Sequence, residues 1–123
     1  MTSPTARTLT RLREMGYVAQ VVERWNPYAR IRVDLFGFCD VIGIPCDGPV
    51  IMVQATSTTN LSARLAKFRT LPLCRWFASR PSIRIEFWGW AKRGERGKRK
   101  LWTLRRLDVN GDEIAEIEME TTR

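Results

Sequence analysis

The sequence contains no histidine, and its three cysteines, Cys39, Cys46 and Cys74, lack the spacing of a metal site. Without histidine the chain cannot carry a Ser–His or Cys–His catalytic pair, and zinc has no imidazole ligand. An odd number of cysteines does not form a closed disulfide framework, so we expect reduced thiols in a cytoplasmic protein. Walker and dinucleotide-binding glycine motifs are also absent, which leaves glycine-rich phosphate-loop chemistry without support.

Long apolar runs are missing as well. No window approaches the roughly eighteen apolar residues of a membrane span, and the N-terminal segment is basic and Thr-rich. We therefore expect neither a membrane helix nor a signal peptide. The composition that is present, 44% hydrophobic with five Trp and five Phe, is typical of a folded globule. A length of 123 residues predicts a single domain, residues 1–123.

The net charge of +8 is unevenly distributed. Residues 91–107 carry eight basic side chains against Glu95 alone, whereas residues 108–123 carry six acidic side chains against Arg123 alone. Such a basic block favours a polyanion partner, most simply nucleic acid. A solvated loop that aids solubility would show the same pattern. The basic side chains of the block that we expect to bind nucleic acid are Lys92, Arg93, Arg96, Lys98, Arg99 and Lys100.

Hydrophobic periodicity and turn residues predict an α/β fold, in which helices flank a mixed β-sheet. Ser3 and Pro4 are typical of a helix start, and Gly16 is typical of a helix end. The predicted elements are a helix over residues 4–15, a strand over 17–25, a hairpin of 41–44 with 50–53, helices over 61–69 and 74–79, strands over 82–90 and 101–109, and an edge strand or short helix over 114–119.

The hairpin places polar side chains at its open end. If its five-residue turn centres on Asp47, antiparallel register pairs Ile42 with Met52 and Asp40 with Gln54, and opposed Cβ atoms lie about 4.5–5.5 Å apart. Asp34 and Thr56 share the same parity. Oxygen atoms held in this way suit a hard cation such as Mg²⁺.

These residues carry a resemblance. Gly37, Phe38, Cys39 and Asp40, followed by Gln54, Ala55 and Thr56, resemble the active-site hairpin of the PD-(D/E)XK nuclease superfamily, which includes archaeal-type Holliday junction resolvases and the small virus-type VRR-NUC nucleases. Asp40 matches the first acid, Gln54 the second position in its Gln form, and Thr56 stands where the family has Lys. The resemblance covers about residues 5 to 70.

The resemblance implies a restriction-endonuclease-like core and a metal-dependent endonuclease that uses Mg²⁺ or Mn²⁺. It implies metal ligation by Asp40, Gln54, the Ala55 carbonyl and Asp34. In some members the lysine of the motif comes from the following helix, and Lys67 is the candidate for that role, with Arg64 as the alternative. The implied catalytic residues are Asp40, Gln54, Thr56, Lys67 and Asp34.

The resemblance also implies the partners, which are DNA rather than RNA, especially branched junctions, and a second copy of the chain in a homodimer. The expected location is the cytoplasm of a bacterial or phage-infected cell. Arg30, Arg32 and Arg64 are further candidates for phosphate contacts. Glu23, near the end of the first strand, either reaches the metal site or is a charge at its rim.

Two departures keep other functions open. Thr5 and Ala6 occupy the place where resolvase-like nucleases often carry a Glu, and the Lys of the motif is missing locally. The alternative is a non-catalytic nucleic-acid-binding module on a degenerate nuclease fold. A third is a structural assembly protein whose basic loop binds a polyanion without any metal.

Overall fold

The computed structural model of the chain describes residues 2–94 and 96–114. Within them the chain forms three helices and seven strands. In order these are α1 (Pro4–Glu14), β1 (Val18–Val21), β2 (Arg24–Asn26), β3 (Ile31–Val33), β4 (Val41–Ile44), β5 (Val50–Ser57), α2 (Thr58–Phe68), α3 (Pro72–Ala78), β6 (Ile83–Arg93) and β7 (Leu101–Asp108). Of the element predicted over 114–119, residues 115–119 lie outside the described part of the chain.

The main sheet has five strands in the order β1-β4-β5-β6-β7, and β2 pairs with β3 in a separate two-stranded sheet. All pairs in the main sheet are antiparallel except β5 with β6, which run parallel. A parallel pair needs a crossover connection, and α2 and α3 supply it. The predicted α/β class, with a mixed sheet flanked by helices, is confirmed.

The hairpin register follows the sequence prediction. Ile42 pairs with Met52, and Val41 pairs with Val53. The strand predicted over residues 17–25 is wrong in its second half, because β1 ends at Val21 and β2 belongs to the other sheet. The cause is a pair of backbone contacts: the amides of Val22 and Glu23 both donate to the Asp40 carbonyl, at 2.8 and 3.3 Å, and turn the chain away from the main sheet.

Two hydrophobic clusters lie on opposite faces of the main sheet. On one face α1 packs through Leu12 against a buried cluster that includes Val53 and Trp88. On the other face α2 and α3 cover a cluster built around Phe38 and Phe87. Alternate residues of one strand therefore enter different clusters, as the period of a β-strand requires.

Of the three helices, α1 has a side-chain cap at its start, whereas the N-cap residues of α2 and α3 make no cap hydrogen bond through their side chains. The Ser3 side chain accepts a hydrogen bond from the Ala6 amide at 3.1 Å, and Pro4 begins α1 as predicted. Helix α2 begins at Thr58 with Ser57 as its N-cap, three residues before the predicted start at Leu61. Among the described residues no helix is both long and apolar enough to cross a membrane.

Candidate functional site

A tight loop between β3 and β4 brings Asp34 back towards Asp40. Leu35 and Cys39 form an isolated antiparallel bridge across it, and the Leu35 amide donates to the Cys39 carbonyl at 2.9 Å. Gly37 has a φ of 84°, a left-handed conformation that glycine adopts without steric cost. The loop thus brings the carboxylates of Asp34 and Asp40 together, although the two residues are six positions apart in the sequence.

Three carboxylates meet at this point. Glu23, Asp34 and Asp40 each offer an oxygen, and these three oxygens all lie within 4.8 Å of one another. The sequence predicts Asp34 and Asp40 as metal ligands and leaves open whether Glu23 reaches the metal site or is a charge at its rim. The structure brings Glu23 into the cluster. Its place where the first strand ends was the only signal in the sequence.

Asp40 is the most enclosed member of the cluster, with 3% of its surface exposed. Its Oδ2 accepts a hydrogen bond from the Ala55 amide at 2.9 Å, which orients the carboxyl group. Burial, together with a hydrogen bond to Asp34 and the charges of Asp34 and Glu23, raises its pKa to about 9. A carboxyl in these surroundings keeps its proton at neutral pH unless a cation stabilises the charged form.

Gln54 is fully buried and occupies a position that only an amide satisfies. Its Nε2 donates to the Phe38 carbonyl and, at 3.2 Å, to Oδ2 of Asp34. Its Oε1 accepts a hydrogen bond from Arg64 at 2.6 Å. A glutamate here would place its charge against Asp34 and the Phe38 carbonyl. The amide oxygen of Gln54 therefore already has a cationic partner in Arg64.

The acids lie at a cleft of about 670 Å³, whose opposite wall is α2. Arg64 and Lys67 line it from that helix, and Thr56 lines it from the end of β5. Thr56 is buried, whereas Lys67 is exposed and its Nζ lies 5.1 Å from the centre of the Phe68 ring. The described residues that line it are Ser3, Pro4, Thr5, Glu23, Arg32, Asp34, Asp40, Ala55, Thr56, Ser57, Asn60, Arg64, Lys67 and Phe68.

Two helix starts also face this cleft. Ser3 and Thr5 line it from the first turn of α1, and Ser57 and Asn60 line it from that of α2. Neither first turn contains an acidic residue. The amide-rich, positive ends of both helices favour an anionic group such as a phosphate. Thr5, in the first turn of α1, offers a hydroxyl to the cleft.

The remaining predicted nucleic-acid contacts fall into two groups. Arg32 lines the cleft, and its Nη1 lies 3.5 Å from Oε1 of Glu23. Arg30 lies on the exposed turn between β2 and β3. The basic block lies outside the cleft lining, on the last residues of β6 and the exposed connection to β7. Because β5 and β6 run parallel, this connection emerges at the same edge of the sheet as the cleft.

Comparison with known proteins adds no relative to this picture. No protein-family model matches the chain, no curated protein is detectably similar to it, and no solved structure matches it. The residues and their geometry therefore carry the functional argument alone.

Proposed function

We propose that the protein is a metal-dependent nuclease that hydrolyses phosphodiester bonds in nucleic acid. One observation carries the proposal: three carboxylate oxygens within 4.8 Å of one another adjoin a cleft whose other charged residues, in the described part of the chain, are Arg32, Arg64 and Lys67. Clustered carboxylates suit a divalent cation, and nearby arginine and lysine suit a phosphate. The motif around Asp40 supports the same function.

The donor set fits a hard cation such as Mg²⁺ or Mn²⁺. Oxygen donors from Glu23, Asp34 and Asp40 are available. Burial first, and then the neighbouring Asp34 and Glu23, raise the pKa of Asp40, and a bound cation would stabilise its charged form. Gln54 fits less well in this arrangement because Arg64 holds its oxygen. A divalent ion bound here would supply Lewis acidity at a phosphoryl oxygen and would favour ionisation of water.

The protein's own groups have separate tasks in this proposal. The Ala55 amide orients Asp40, and the Gln54 amide orients both Asp34 and Arg64. Arg64 is thereby held close to the acids, where its guanidinium can bind a phosphate. Lys67, which lines the same cleft, is the candidate for the proton-transfer and water-orienting role of the missing family lysine.

A second candidate function is binding without cleavage. The Arg64–Gln54 hydrogen bond of 2.6 Å favours it. Through this bond Arg64 occupies the side-chain oxygen of Gln54 that an active site would offer to its metal. Binding without cleavage is also favoured by Thr56 at the family's Lys position. In this second function the cleft and its arginines bind a polyanion, while Glu23 holds Arg32 in place and Gln54 holds Arg64.

Cleavage assays separate the two functions. Labelled linear, flap and four-way-junction DNA, with RNA of matching sequence, would be incubated with Mg²⁺ or Mn²⁺. We expect cleavage of DNA, with branched substrates preferred, and its loss in Asp40→Asn. The matched control is Asp47→Asn, since Asp47 is exposed in the turn at the other end of the same hairpin. A wild type that binds these substrates but cuts none of them contradicts the nuclease and supports the binder.

A further inference from the structure

The two-stranded sheet of β2 and β3 is a hairpin that begins and ends in the acid cluster. Glu23 immediately precedes β2, and Asp34 immediately follows β3. The base is tied to the main sheet by the Glu23 amide, which donates to the Asp40 carbonyl at 3.3 Å. A ligand bound at the base of the hairpin is consequently held beside Glu23, Asp34 and Asp40.

The hairpin surface is cationic and aromatic. Residues 24–33 include three arginines and no acidic residue. Tyr28 is 97% exposed, Trp25 is 56% exposed, and Ile31 is exposed as well. Large apolar side chains in water lose the benefit of burial, so their concentration on ten residues marks a surface for a ligand.

One face of the hairpin combines a ring and a cation next to the cleft. Trp25 and Arg32 are direct partners across the strands, so their side chains share a face. Arg32 itself lines the cleft. The Trp25 indole is therefore adjacent to the rim of the proposed phosphate site, while Arg24 and Arg30 are exposed elsewhere on the same hairpin.

The tip of the hairpin is held in one shape. The side-chain oxygen of Asn26 accepts hydrogen bonds from the amides of Tyr28 and Ala29 at 3.0 and 3.1 Å. The Arg30 amide donates to the Asn26 carbonyl at 2.7 Å, and Arg30 adopts a left-handed φ of 57°. An ordered tip loses little conformational entropy when a ligand binds.

We propose that this hairpin is a binding arm for single-stranded nucleic acid, in which Trp25 stacks on an unpaired base and the arginines contact the flanking phosphates. The π-faces of paired bases in a duplex are covered by their neighbours, so an exposed indole gains most from unpaired bases. Arg32 lies 3.5 Å from Glu23 at the base of the hairpin, but its side chain stays exposed, and with Arg24 and Arg30 it complements a phosphate backbone. The arm deepens the proposed nuclease function, on which it rests, by assigning single-stranded segments as the part of the substrate that enters the cleft.

Binding is measured on the full chain in EDTA, so that no cleavage occurs. Fluorescence anisotropy would use a labelled strand of about fifteen nucleotides and, in parallel, the same sequence as a duplex. We expect Trp25→Ala to weaken single-strand binding about tenfold, as the loss of one base stack does, and to leave duplex binding within about twofold. Trp25→Phe should restore most of the affinity. Trp25 is half-exposed, so the variants should fold, and circular dichroism checks this.

The matched control is Trp76→Ala, because Trp76 is 51% exposed but lies on α3. Equal losses in the Trp25 and Trp76 variants, or no loss in either, overturn the arm. So does a wild-type dimer, seen by size-exclusion chromatography, that Trp25→Ala dissociates, since the occupant would then be a second copy. Metal-dependent cleavage with no effect of Trp25→Ala on binding refutes the arm alone. Trp25-dependent binding without cleavage refutes the nuclease alone.

Discussion

Among single residues, Gln54 connects most of the site. It reaches Asp34 with its nitrogen and Arg64 with its oxygen, and Phe38 fixes which way the amide faces. A buried amide with three satisfied hydrogen bonds is costly to replace, because each partner left unsatisfied is a desolvated polar group that costs about 1–3 kcal/mol. The amide therefore couples the acids of the loop to the basic wall of α2.

Lys67 is the residue on which we expect chemistry, rather than binding, to depend. Because it lines the cleft from α2, Lys67→Ala should lower the cleavage rate at least about tenfold, roughly 1.4 kcal/mol of barrier, with little change in DNA affinity. Single-turnover rates and equilibrium binding on the same DNA measure the two effects separately.

The control for this variant is Arg69→Ala, which removes a positive charge just past the end of the same helix and outside the cleft lining. Its cleavage rate should stay close to that of the wild type. If the Lys67→Ala variant cleaves DNA as fast as the wild type, Lys67 is a solvent-exposed side chain without a role in the reaction, and another group transfers the proton.

At the scale of elements, the two faces of β6 (Ile83–Arg93) hold different kinds of side chain. Its alternation correctly predicted that Ile85 and Phe87 share a face, and both are buried under α2 and α3. The opposite face holds Glu86, which is buried and receives hydrogen bonds from Arg106 on β7 at 2.8 Å and from the Trp88 indole, also at 2.8 Å. The charge of Glu86 is thus satisfied by Arg106, twenty positions away, together with Arg84 on the same strand at 2.6 Å.

The connection between β6 and β7 is the element that we expect to govern salt dependence. Strand β6 continues three residues beyond Trp90, the partner of the last residue of β5, so its basic end extends about 10 Å past that edge. Neutralising Arg96, Lys98, Arg99 and Lys100 together to Gln should flatten the dependence of log affinity on log salt, by about one unit for each phosphate that the variant no longer binds.

Salt titrations of DNA binding measure this slope, with Arg75→Gln as the control. Arg75 is also exposed and basic but lies on α3. If the fourfold variant keeps the wild-type slope, the connection is solvated surface and the bound phosphates lie in the cleft.

At the scale of the whole molecule, the acid cluster links folding to pH. In the folded chain the pKa of Asp40 is raised to about 9 from its ordinary 3.8, mainly by burial, so the folded state holds a proton that the unfolded state releases. The stability contributed by the protonated group is complete below about pH 4 and is lost as pH rises through about 9. Without histidine, few other groups titrate in the middle of this window.

We therefore expect the free energy of unfolding to fall with rising pH in EDTA, by at most about 1.4 kcal/mol per pH unit, and to recover when Mn²⁺ is added. Urea denaturation between about pH 5.5 and 8.5 measures it. Asp40→Asn should remove most of the slope and the effect of Mn²⁺, whereas Asp47→Asn should change neither. Equal slopes in the wild type and Asp40→Asn would place the titrating proton elsewhere.

Much of this arrangement is local and is readable from the sequence. Ser3 with Pro4 predicted the start of α1, and the turn around Asp47 with its β-branched flanks predicted the β4–β5 register. These features depend on the backbone preferences of neighbouring residues, which a single sequence records directly. The candidates Asp34, Asp40, Arg64 and Lys67 followed from that register and from the resemblance, and all four line the cleft.

The sequence by itself thus determined the α/β class, most of the helices and strands, and the hairpin that carries Asp40. Only the tertiary structure decided that the first strand divides at Glu23, that Glu23 joins the acids, and that Arg64 holds the oxygen of Gln54. The reason is physical. The partner of a strand or of a buried polar group lies in a segment distant in the chain. Such long-range pairings produce no local periodicity, so the sequence pattern does not reveal them.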